Sequence, residues 1–174
     1  MPTGGISYKP VLRKYRTLCE IISNFSAMET NNFEEINKKL EKLMYGHNYV
    51  AGFKFHIFNN CNNELDFINE VKANCSEFSN ERGYKILHNA NDFWDAINYG
   101  LNYRGDEAAG LSLSPAEEKE LQDVQNDYKK FIKDYIKEDT QIYTSANGQG
   151  VFWGYNLFIK NRDKSLHISA FADD

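Results

Sequence analysis

Three short runs near the end of the chain, QIYTSA (141–146), VFWGYNLFIK (151–160) and SLHISAFA (165–172), decide the fold. Each is rich in β-branched and aromatic residues, and polar turn material separates them at Asn147–Gly150 and Asn161–Lys164. Strands this short, joined by turns this tight, pair with their chain neighbours in antiparallel fashion. The spacing therefore predicts a C-terminal three-stranded antiparallel meander.

Working back from that meander, the next clear signal is a helix. Ser114, Pro115 and Glu117 stand in the order N-cap, N1 and N3, which is a capping box with proline at the first helical position. Leu121, Val124, Tyr128, Phe131 and Tyr135 then step by three and four, so the helix is expected over Ser114–Glu138. Its first half carries Glu117, Glu118, Glu120, Asp123 and Asp127, and its second half Lys129, Lys130, Lys133 and Lys137. That order complements the helix dipole.

Four further helices are expected. Pro10–Ala27 has Val11, Tyr15, Leu18, Ile22 and Phe25 at helical spacing; Asn31–Tyr45 has an Asn cap and Gly46 beyond its end. Glu64–Phe78 turns Leu65, Ile68, Val71 and Cys75 one way, and Asn91–Tyr103 does the same with Trp94, Ile97 and Leu101. Tyr49–Asn59 alternates Phe53, Phe55 and Ile57 with Lys54, His56 and Phe58 and reads as a strand, while Tyr84–Leu87 suits a short edge strand. The expected fold class is α+β: a single domain over residues 1–174 with about five helices, and the meander joined by one or two further strands.

Composition bounds the function. In 174 residues, hydrophobic side chains make up 41% and Phe, Trp and Tyr 14%, enough apolar surface to drive one sizeable core. No apolar run reaches the roughly 18 residues of a membrane span, and Met1–Tyr8 has no apolar h-region. Cys19, Cys61 and Cys75 are odd in number, far apart and without a CxxC pair, which suits free thiols in a reducing cytoplasm better than zinc or a disulfide scaffold. The net charge of −5 is lopsided. Residues 1–87 carry 11 Lys/Arg against 10 Asp/Glu; residues 88–174 carry 9 against 15. An acidic C-terminal half disfavours direct nucleic-acid binding and suits a protein partner with a basic surface.

Candidate chemistry is sparse. His47, His56, His88 and His167 form no metal-spaced pair, and neither GxxxxGK[ST] nor GxGxxG occurs. No metal and no cofactor is expected. Leu166-His167-Ile168-Ser169 resembles the HxS half of a two-histidine phosphoesterase, in which each histidine works as acid or base beside a hydroxyl. The resemblance implies His167, Ser169 and a second histidine, His56, as catalytic; His56-Ile57-Phe58 lacks the hydroxyl. Tyr103-Arg104-Gly105 resembles the NAD-binding arginine strand of ADP-ribosyltransferases, and Tyr143-Thr144-Ser145 their serine-threonine strand. This implies Arg104 as a ligand-binding residue, in an inactive relative, because no ExE motif follows.

The leading expectation is a small acidic binding protein that inhibits a macromolecular partner, a profile shared in size and charge with phage counter-defence proteins, including anti-CRISPR inhibitors, and with toxin-immunity proteins. Asp123, Asp127 and Asp134 would supply the charge. Trp153 and Tyr155, which point the same way along their strand, would supply aromatic anchors if no helix covers them. The alternatives are a phosphoesterase or nuclease acting through His167 and Ser169, and a nucleotide-signal sponge using Arg104 with Trp153 and Tyr155.

Overall fold

The computed structural model describes residues 30–46, 50–59, 63–74, 84–86, 90–105, 110–145 and 152–173. The chain divides into two compact units, Met1–Glu35 and Ile36–Asp174. In the first unit, residues 30–35 are described and begin helix α1, which runs to residue 43. The remaining elements all lie in the second unit: β1 (Val50–Asn59), α2 (Glu64–Asn74), β2 (Tyr84–Ile86), α3 (Ala90–Asn102), α4 (Pro115–Tyr135), β3 (Gln141–Ser145), β4 (Trp153–Lys160) and β5 (Lys164–Asp173). The expected helix over Pro10–Ala27 lies outside the described residues, which hold four helices.

The α+β class holds. All five strands join one antiparallel sheet in the order β1-β5-β4-β3-β2. This is more than a plain C-terminal meander with strands appended. β5, last in sequence, is held between β4 and β1, and it is β1 that supplies its longer partner, from Val50↔Asp173 to Asn59↔Lys164. The Tyr84 strand takes an edge, as its shortness suggests.

Register sorts the side chains into two faces, because directly opposed residues of antiparallel strands point the same way. One face carries the rows Phe53–Ala170–Tyr155, Ala51–Ala172–Trp153, Phe55–Ile168–Leu157–Thr144 and Ile57–Leu166–Ile159–Ile142. Ala170 and Ala172 of β5 leave room for the large rings on either side. Helices α3 and α4 pack here: the Trp153 ring lies against Gly100, Phe53 meets Tyr128 edge-on at 5.7 Å, and the Tyr128 and Tyr155 hydroxyls hydrogen-bond at 3.0 Å. A Cβ on Gly100 would stand 2.7 Å from the Trp153 ring, so the close approach of α3 requires glycine at that position.

The opposite face carries His56–His167–Phe158–Tyr143, Lys54–Ser169–Asn156 and Gly52–Phe171–Gly154. Helix α2 closes part of it through Phe67, which meets Phe58, Tyr143 and Phe158 within a cluster completed by Val71. Each such ring, fully buried, contributes about 1.5–3 kcal/mol.

One polar residue ties helix to hairpin. Asn161, in the β4–β5 turn, donates from Nδ2 to the carbonyls of Tyr135 (2.6 Å) and Lys164 (3.1 Å) and accepts from Thr140 Oγ1 (2.6 Å). It thereby satisfies a carbonyl at the end of α4 that the helix itself leaves open.

Candidate partner-binding site

Helix α4 begins where its chemistry says it must. Ser114 sits in extended geometry, its Oγ accepts from the Glu117 N–H at 3.3 Å, and Glu117 Oε2 accepts in return from the Ser114 N–H at 2.8 Å and from its hydroxyl at 2.7 Å. These bonds, the side-chain one foremost, hold the Glu117 carboxyl below its ordinary value, with Lys42 on α1 adding a smaller pull. The helix buries Leu121, Val124, Gln125, Tyr128, Ile132 and Tyr135. Gln125 reaches across to the Leu101 carbonyl of α3, and Lys133 Nζ lies 5.6 Å above the Trp94 ring, so α3 and α4 run side by side in opposite directions.

The outer surface of α4 is charged and sorted. Glu120, Asp123, Asp127 and Asp134 are all exposed. At 3.6 residues per turn they fall within an arc of about 60° and span about 21 Å of helix. Lys119, Lys130 and Lys133 are exposed in an adjacent arc of about 60°, on the side nearer α3. The two signs therefore form neighbouring stripes along the helix as well as the N- to C-terminal gradient legible in sequence. Asp123, Asp127 and Asp134 share one stripe; Glu120 belongs with them, and its i−3 spacing from Asp123 is the signal that places it there.

Trp153 and Tyr155 lie elsewhere. Both are 5% exposed, stacked on each other at 6.0 Å beneath α3 and α4. Helices cover this face of the sheet, so neither ring stands on the surface as a partner anchor. Among the described residues the buried Trp153 indole N–H has no hydrogen-bond partner, and the ring packs against Phe53, Tyr103 and Tyr155. Arg104 is half-buried, and its Nη1 donates to the carbonyls of Leu101 (3.0 Å) and Tyr103 (3.1 Å). It closes the C-terminal end of α3, where a cation suits the exposed carbonyls, and follows a helix rather than sitting on the strand that the ADP-ribosyltransferase resemblance requires.

The histidines do come together. His56 and His167 oppose each other directly on β1 and β5, on the same face as Ser169 and Asn156. His167 is 4% exposed, stacked flat on Phe158 at 4.4 Å, and its Nε2 donates to Asn156 Oδ1 at 3.2 Å. Burial, with the nearby His56 and Lys54 adding to it, pushes the imidazole from 6.5 down to about 3. His56 is half-exposed and leans on Phe58 at 4.7 Å. A histidine held neutral in this way is a poor general acid at pH 7, and its burial and its bond to Asn156 leave it poorly placed to act as a base. Asn156, its partner, was not singled out in the sequence, although the β4–β5 hairpin pairs it with Ser169 on the same face as His167.

Among the described residues no helix is long and apolar enough to cross a membrane, and no group of three or more His, Cys, Asp or Glu is arranged to hold a metal ion. No protein-family model and no curated protein matches the chain. Among solved structures it is similar to a crystal structure of citrus MAF1, at 11% identity and a TM-score of 0.48 over 80% of this chain and 98% of that one, a likeness too distant to say what the chain does.

Proposed function

We propose that the chain is a binding protein that inhibits a macromolecular partner in the cytoplasm by laying the acidic stripe of α4 against a basic surface of that partner. The observation that carries this reading is the exposure of Glu120, Asp123, Asp127 and Asp134 in one arc of a capped, well-packed helix. A rigid row of carboxylates steers a cationic partner toward it and holds its charges without first having to be ordered. It would mimic nucleic-acid phosphates or block a basic active site, as the counter-defence and immunity proteins of similar size and charge would. Binding is preferred over phosphoester hydrolysis because His167 is buried with its Nε2 engaged by Asn156, and over a nucleotide sponge because the Arg104 guanidinium is already engaged with the end of α3.

The test is affinity capture from host extract at low ionic strength, followed by titration calorimetry with the purified partner. Neutralising Asp123, Asp127 and Asp134 together to Asn should weaken binding about tenfold, at about 0.5 kcal/mol for each exposed pair lost. Added salt should weaken the native complex further, and the variant's less steeply. A partner bound equally well at high salt and by the neutralised variant would refute the proposal.

A further inference from the structure

We draw no further inference here: the strongest candidate, the surface hollow of about 200 Å³ between the end of α4 and the β4–β5 turn, is lined by Lys137, Arg162 and Lys164 together with Asp139 and Asp163, and nothing in the structure shows which class of ligand that mixture of charges would hold.

Discussion

Lowering the pH from 8 to 5 should destabilise this fold through one residue. His167 is held near 3 in the folded state, chiefly by burial, against 6.5 when free. Its folded value is depressed, so the neutral form contributes stability that is complete above 6.5 and is lost as the pH falls toward 3. Over that whole window the contribution is at most about 5 kcal/mol, at 1.36 kcal/mol for each pH unit. At pH 5 the unfolded chain has taken up a proton that the folded chain refuses, and the loss is about 2 kcal/mol. With a urea slope of about 2 kcal/mol per molar, the midpoint should fall by about 1 M. Urea titrations at pH 8 and pH 5, followed by far-UV circular dichroism, measure it. His167→Gln keeps a polar group for Asn156 but has no proton to refuse, so its midpoint should fall by correspondingly less over the same interval. At pH 5 most carboxylates remain ionised in both proteins, so the difference between the two falls isolates His167. If native protein and variant lose equal stability between pH 8 and 5, the account of a buried neutral imidazole is wrong.

Three further outcomes follow from the packing. Tyr128→Phe should cost about 1–3 kcal/mol by stranding the buried Tyr155 hydroxyl, and the same change made in a Tyr155→Phe background should cost less, a non-additivity that a double-mutant cycle in urea detects. Gly100→Leu should destabilise by about 1–3 kcal/mol or more despite the better helix propensity of leucine, because the side chain meets the Trp153 ring; thermal melts read the loss, and a red shift in tryptophan emission should accompany it. Ser114→Ala removes the N-cap of α4 and should cost about 1 kcal/mol, with the urea midpoint reporting it; an unchanged midpoint would mean that the capping box adds nothing to the stability of α4.

The elements of the second unit were legible because each rests on a local rule. The capping box at Ser114–Glu117, the alternation along residues 50–59 and the turn residues around 161–164 act within a few positions of the chain. The charged candidates were legible in part for the same reason. Helical period alone puts Asp123, Asp127 and Asp134 on one side of α4, and their exposure follows from the apolar residues opposite. The aromatic candidates were not. Alternation along β4 shows that Trp153 and Tyr155 share a face, yet whether helices cover that face depends on where α3 and α4 return, and no local pattern carries that information. The place of Arg104 just past a helix was legible from the spacing of Trp94, Ile97 and Leu101, and the three letters around it resemble a strand motif by composition alone.

By itself, then, the sequence determined the α+β class, the antiparallel pairing at the C-terminal end and the solvent-facing acids of α4, all of them matters of period and spacing. Only the tertiary structure decided that β1 closes on β5, that Trp153 and Tyr155 lie under helices, and that His167 sits opposite His56 and beside Asn156. Those outcomes depend on contacts between residues from 11 to more than a hundred positions apart, and on burial, which takes a strand histidine that could have met solvent and holds it neutral inside the fold.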